Sequence, residues 1–498
     1  MIKAKKNQLK KKAKKLLGEA RKLTKKANEL KKKAKKLREK AKKLREKAGN
    51  KIPKAQRGLE WYKGEWIEKG NRKEKERVDR IRKGGGGKAE VKKKLNLISQ
   101  SMYSKKHDEL TKKQKSSVKR EYKKYKNLRR REIEKILQEE LNKAVKSTGA
   151  QGANGIIVNP FNGEILAIAS IPDFNPNQYN KYPINSFNNA VISDSYEPGS
   201  TFKILPIAII LDEKKYSLND SIYCENGIYK LSNNKLMHDH EENQFLTIKD
   251  ILVHSSNIGI SKLSESYNRE TLYKLIKKFG FCSKANIPLN NEATGKIREI
   301  SKWSKTSKNY ISIGQELSIT NLQLAMAYSA IANGGVLIKP SLIKDISKND
   351  TTLYLNENKI IRRVLSHQIS HEILNTLKEV VNYGTAQSIN LDNYSIAGKT
   401  GTAQKFKDGH LNNYIATFAS IFPVENPEFV MVVSIDEPAY GKHWSNLSAV
   451  PSSREIIKRM LIKYDEIHKN IVKTPSASKE ENVQNNELSL SNYSKIDK

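Results

Sequence analysis

Two apolar, β-rich runs at residues 416–422 and 429–435 are joined by Pro423-Val-Glu-Asn-Pro427. That pattern reads as a long hairpin of two buried strands. Some 250 residues earlier, roughly the length of a whole domain, the β-compatible runs 155–159 and 164–169 flank Asn162-Gly163, a strong short-hairpin signal. A further β-compatible stretch, Tyr394 to Gln404, is Gly-flanked and precedes the later hairpin. Strands drawn from both ends of one region constrain the fold more than any other feature. They predict one five-stranded antiparallel sheet, with the helical segments between its second and third strands. The expected class is α/β in its α+β form, a sheet flanked by helices, plus a basic helical segment at the N-terminus.

Three short motifs lie within that frame: Ser200-Thr-Phe-Lys203, Ser255-Ser-Asn257 and Lys399-Thr-Gly401. Together they supply a serine nucleophile, a lysine to take its proton, a second Ser–Asn pair and a cationic strand. This is acyl-transfer chemistry that needs neither His nor Asp. Singly, the motifs are weak. Ser116/Lys119, Ser341/Lys344 and Ser476/Lys479 share the first spacing, and Ser186/Asn188, Ser232/Asn234 and Ser388/Asn390 share the second. Context separates them. Ser200 follows the turn signal Glu197-Pro-Gly199 and precedes the apolar run 204–211. It therefore stands in the first turn of a buried helix, with Lys203 on the same face and close enough to share a proton. Pro206 removes a helical donor, so the first two turns are expected to be tight or irregular.

The longer strings Glu197-Pro-Gly-Ser-Thr-Phe-Lys203, Ser255-Ser-Asn-Ile-Gly259 and Ala397-Gly-Lys-Thr-Gly-Thr-Ala-Gln404 carry a resemblance. So do Asn162-Gly-Glu-Ile-Leu-Ala167, Gly314-Gln-Glu-Leu-Ser-Ile-Thr-Asn-Leu-Gln323, Ala332-Asn-Gly-Gly335 and Gly384-Thr-Ala386. The region 131–459 resembles the transpeptidase domain of class B penicillin-binding proteins, and is more similar to the cell-division type than to the elongation type. The resemblance implies the DD-peptidase/serine β-lactamase fold and a peptidoglycan D,D-transpeptidase. Ser200 would attack the carbonyl of a D-Ala-D-Ala stem peptide, with Lys203 as general base, its pKa lowered by burial or by a neighbouring cation. Lys399 would supply that cation and steer the substrate carboxylate. Ser255 would relay a proton, Asn257 would hold the substrate amide, and Thr400, Gly401 and Thr402 would bind substrate. Backbone N–H groups of Ser200 and Thr402 would form the oxyanion hole. β-Lactams would trap Ser200. Division-complex membrane proteins and the extracytoplasmic face of the cell membrane are implied as partner and location.

Two rival classes remain open. A serine β-lactamase or DD-carboxypeptidase would need a base to deliver deacylating water, and no motif for one is evident between Asn257 and Lys399. A non-enzymatic β-lactam sensor, or a scaffold whose basic arm binds polyanions, is the other. No metal or cofactor is indicated. His238 and His240 read as loop residues, and Asp239 between them needs no role. Cys224 and Cys282 allow either one disulfide or two free thiols.

Charge divides the chain. Residues 1–150 hold 55 Lys and Arg against 18 Asp and Glu, which accounts for nearly all of the formal net charge of +40. Leu at 9, 16, 23, 30, 37 and 44 alternates with Ala at 13, 20, 27, 34, 41 and 48 in an unbroken 4,3 spacing. This predicts a basic heptad helix over 1–50, roughly 60 Å long. It is either simply solvated or in contact with an anionic surface. Residues 51–130 read as a basic linker with a remnant of a pedestal domain, Gly84 to Gly87 as a hinge, 131–465 as the transpeptidase domain and 466–498 as a disordered polar tail. No run of about 18 apolar residues and no signal peptide is visible. Ser445-Asn446 stands where the family tends to have a Gly pair, so the adjacent loop is expected to differ in shape.

Overall fold

The computed structural model describes residues 59–62, 65–68 and 112–473, except 349–350, 356–358, 392–393 and 408–409. The heptad helix, the Gly84–Gly87 hinge and the tail beyond 473 lie outside the described residues. The chain divides into two units, Met1–Glu76 and Arg77–Lys498. In the first, strands Leu59–Tyr62 and Glu65–Glu68 pair as an antiparallel hairpin, with Trp61 opposite Trp66.

The second unit is built on the expected sheet. Its strands are β1 (Gly152–Val158), β2 (Ile165–Ile171), β3 (Ala397–Lys407), β4 (His410–Phe422) and β5 (Phe429–Asp436). Their order is β3-β4-β5-β1-β2, antiparallel throughout. β1 and β5 occupy inner positions, and every residue of β1 and all but the last of β5 are buried. A strand covered on both faces is largely apolar, with Asn154 and Ser434 as the buried polar exceptions here.

Side chains of a strand alternate between faces, and the two cores divide accordingly. Ile156, Val158, Val430 and Val432 join a large helical core on one face. Ile157, Met431, Val433 and Ile435 join a second core on the other. The second face is covered by α1 (Lys112–Thr148) and the C-terminal helix α7 (Ala449–Lys473). Leu137 and Leu141 of α1 and Ile456 and Ile457 of α7 are completely buried there. Arg459 ties the two helices by bonding both Glu139 and Glu140. Both helices cross the expected boundaries at 131 and 465. α1 begins at Lys112, and residues 466–473 are helical where a disordered tail was expected.

The other face carries the helices inserted between β2 and β3. Those that frame the cleft are α2 (Ile204–Asp212), α3 (Ile248–Val253), α4 (Asn257–Ser264), α5 (Asn321–Ala332) and α6 (His367–Asn382). Every residue of α5 is buried, as befits a helix with neighbours on all sides. A Thr320–Gln323 capping box starts it. Asn321 then bonds Asn154 of β1 and Ser434 of β5, fastening α5 to the sheet through buried polar groups. Cys224 and Cys282 are both free thiols. Among the described residues, no helix is long and apolar enough to cross a membrane.

Candidate active site

Residues Gly199–Lys203 form a 3-10 turn that runs directly into α2. The irregular start expected from Pro206 is therefore real. The α-helix proper begins at Ile204, so Pro206 sits in its first turn, where a backbone N–H has no α-helical partner to lose. In a 3-10 turn, positions i and i+3 eclipse, which stacks Ser200 and Lys203 on one side. The turn is held from several directions. Gly199 takes a φ of +52° and donates to Gly314 O at 3.0 Å. A Cβ on Gly314 would lie 2.1 Å from Gly199 O, so only glycine allows this approach. Thr201 Oγ1 donates to Pro198 O at 2.8 Å, and Tyr328 Oη donates to Thr201 O at 2.9 Å.

Ser255 links α3 to α4 with a φ of +62°, an uncommon conformation for a residue with a side chain. It aims its carbonyl and hydroxyl at the lysines. Ser256 caps α4, its Oγ accepting from Gly259 N at 2.8 Å. Asp239 completes that cap. It accepts from Asn257 N at 2.5 Å, from Ile258 N at 2.9 Å and from the Ser256 hydroxyl. The expectation that Asp239 has no role is overturned. Its carboxylate takes the otherwise unpaired N–H groups at the positive end of the helix that carries Asn257. Asn257 Nδ2 also donates to His238 O at 2.9 Å, which sets the orientation of its amide.

Lys203 and Lys399 are both fully buried. Lys203 Nζ donates to Ser255 O at 2.5 Å, Asn257 Oδ1 at 2.8 Å and Ser255 Oγ at 3.3 Å. Lys399 Nζ donates to the same Ser255 Oγ at 2.8 Å. Ser255 Oγ thus accepts from two amines, which leaves its own proton for the cleft. Burial pulls the Lys203 amine down to about 7, against an upward pull from Asp239. Burial, then the nearby Lys203, holds Lys399 well below the usual lysine range.

Of the two causes expected for the lowered Lys203 pKa, burial is the one that acts. Among the described residues, no hydrogen bond joins Ser200 Oγ to Lys203 Nζ, whose partners are Ser255 and Asn257.

The cleft holds about 820 Å³ and is lined by Ser200, Ser255, Asn257, Thr400 and Thr402, with Trp444 at its rim. The three motifs, far apart in sequence, therefore meet in one place. Thr400 Oγ1 is 2.7 Å from Thr385 Oγ1. Gly401 does not face the cleft. A Cβ there would lie 2.8 Å from Pro198 O and 2.9 Å from Thr201 Cγ2, so this glycine lets β3 press against the Ser200 turn. A Cβ on Gly199 would likewise lie 3.2 Å from Thr402 O.

Three residues at the site escaped the sequence reading. Asp239 lies 18 positions from Asn257 with no local signature. Thr385 was part of a recognised string without a stated role. Ser445 was visible only as a departure from the family pattern.

The family described as penicillin binding protein transpeptidase domain matches residues 154–458. The chain belongs to this family. It is 33% identical to a peptidoglycan D,D-transpeptidase FtsI homolog from Mesostigma viride, over 64% of this chain and 58% of that protein. It is 32% identical to stage V sporulation protein D of Bacillus subtilis, over 66% of this chain and 52% of that one. The chain thus spans little more than half the length of these curated relatives. Among solved structures, the transpeptidase domain of Burkholderia pseudomallei penicillin-binding protein 3 superposes with a TM-score of 0.59 at 26% identity, covering 70% of this chain and 96% of that one. Penicillin-binding protein 3 of Mycobacterium tuberculosis in complex with aztreonam gives 0.62 at 28% identity, covering 67% and 77%. The penicillin-binding fold around the cleft accounts for the five-stranded sheet and its helical insertion together.

Proposed function

We propose that this penicillin-binding domain is a serine D,D-transpeptidase that crosslinks peptidoglycan stem peptides through an acyl-enzyme on Ser200. The observation that carries the reading is the convergence of Ser200, Lys203, Ser255, Asn257 and Lys399 on one cleft, with Lys203 buried and near neutrality at pH 7. Ser200 Oγ attacks the carbonyl between two D-Ala residues and its proton passes to neutral Lys203. The neutral amine keeps two N–H donors, for Ser255 O and Asn257 Oδ1, and its lone pair takes the place of the longest bond, that to Ser255 Oγ, to receive the Ser200 proton. Ser255 relays the proton to the leaving D-Ala amine. Asn257 Nδ2 and Oδ1 bracket the substrate amide. The Ser200 and Thr402 N–H groups take the developing oxyanion, a contribution usually worth a few kcal/mol. The Thr400 and Thr402 hydroxyls receive the substrate carboxylate. An amine from a second stem peptide then attacks the acyl carbonyl and returns its proton along the same path.

The names of two relatives, an FtsI homolog and a sporulation protein, favour a septal setting at the extracytoplasmic face of the cell membrane, alongside membrane proteins of the division complex. Contact of residues 1–50 with an anionic surface belongs to the same reading.

Intact mass after incubation with benzylpenicillin tests it. One covalent adduct that persists for hours is expected on the parent and none on Ser200→Ala. Rapid turnover of the drug would instead identify a β-lactamase. Acylation with no transfer to an amine acceptor would identify a sensor. A label that survives the substitution removes Ser200 from its role.

A further inference from the structure

The loop between β5 and α7 reaches over the cleft and is fastened there at two adjacent residues. The Trp444 ring lies 4.7 Å from the His240 ring. Ser445, almost wholly buried, bonds Thr402. The proton assignment in that second contact is determined. Ser445 N donates to Thr402 Oγ1 at 3.2 Å. The Ser445 hydroxyl donates to Gly401 O, a carbonyl that only accepts. At the remaining contact, Thr402 Oγ1 to Ser445 Oγ at 3.0 Å, the Ser445 proton is already committed, so Thr402 must be the donor. A threonine hydroxyl has one proton. With it directed at Ser445, Thr402 offers an incoming carboxylate no donor, only lone pairs.

We propose that Ser445 is a positioning residue that holds the Thr402 hydroxyl closed, so that a ligand carboxylate gains Thr402 only by displacing it from Ser445. The inference rests on the reading of Thr402 as a carboxylate ligand. Ligand binding then exchanges a Thr402–Ser445 hydrogen bond for a Thr402–carboxylate one. The exchange costs the free enzyme part of its affinity for every carboxylate-bearing ligand. It costs nothing for a ligand without that carboxylate.

The test compares benzylpenicillin with its methyl ester on the parent, on Ser445→Ala and on Ser445→Gly. The second-order rate of adduct formation is followed by intact mass, and peptide mapping confirms Ser200 as the acylated residue. Two variants are used because each leaves the backbone N–H in place while removing the hydroxyl with different effects on loop stability. Removing one such bond should raise the rate for the acid about three- to tenfold. The rate for the ester should stay within about twofold of the parent. A merely structural role for Ser445 would change both ligands alike. An equal change for acid and ester, or a slower reaction of the acid alone, overturns the proposal. A parent that takes no adduct from either ligand defeats the transpeptidase reading first, and the inference with it.

Discussion

Lys203 combines full burial with three short-range acceptors, and the two act in opposite directions. Burial disfavours the ammonium and wins, bringing the amine to about 7 from an ordinary 10.5. At neutral pH a substantial fraction is therefore the free base that a general-base role needs. Acylation by penicillin should rise tenfold per pH unit below about 7 and level off above it, as measured by stopped-flow from pH 5.5 to 8.5. A rate independent of pH across that window would remove Lys203 as the base. The sign for stability follows from the same shift. Between about 7 and 10.5 the unfolded chain keeps the Lys203 proton while the folded one has released it. Folding stability attributable to this group therefore increases as pH rises through that interval. Asp239 raises the Lys203 value, so Asp239→Asn should move the kinetic inflection to lower pH. The same profile on that variant checks it, and an unmoved or upward-shifted inflection counts against the coupling.

α4 illustrates how an element places a side chain with chemistry. Its first residue is Asn257, and its free N–H groups meet Ser256 Oγ and the Asp239 carboxylate. Removing such a cap commonly costs about 0.5–2 kcal/mol. Asp239→Ala should lower the thermal midpoint by a few degrees. It should also slow acylation more than that loss explains, by about ten- to a hundredfold, because Asn257 and Ser256 lose their anchor. Calorimetry and adduct kinetics on one preparation separate the two effects. A destabilised variant that acylates at the parent rate would reduce Asp239 to an ordinary cap. The S-x-N spacing singled out Ser255 and Asn257 in the sequence; the carboxylate that holds the Asn257 backbone came from a loop, where spacing carries no information. The Ser200 turn was more legible, since its Gly, its Pro206 and its apolar continuation are all local signals.

At the scale of the molecule, the sheet separates catalysis from much of the stability. Ser200, Lys203 and Ser255 lie on the face of the large helical core, whereas Leu137 of α1 is fully buried on the opposite face. Leu137→Ala should cost about 2–5 kcal/mol. Its unfolding midpoint in urea should drop accordingly, while the fraction that remains folded is acylated at the parent rate. Impaired acylation of the folded fraction would show that the two faces are coupled through β1 and β5. The sheet was readable in advance because its strands are apolar or β-compatible runs and its hairpins carry turn signals. The extension of α1 back to Lys112 was not, because that stretch is dominated by Lys and Arg and shows no apolar periodicity strong enough to set it apart from the basic linker.

Sequence alone determined the strand set and the position of the helical insertion, and it singled out Ser200, Lys203, Lys399 and the Ser255–Asn257 pair as candidates. Each of these is written in local pattern: periodicity, turn residues and fixed short spacings. Tertiary structure decided which atoms meet. It gave the donors of Lys203 to Ser255 and Asn257 rather than to Ser200, turned Gly401 toward the Ser200 turn and brought Asp239 and Ser445 to the site. Those outcomes depend on burial and on contacts between residues far apart in the chain, such as Lys399 with Ser255, 144 positions away, and desolvation is a property of the surroundings that no residue carries in its own neighbourhood of the chain.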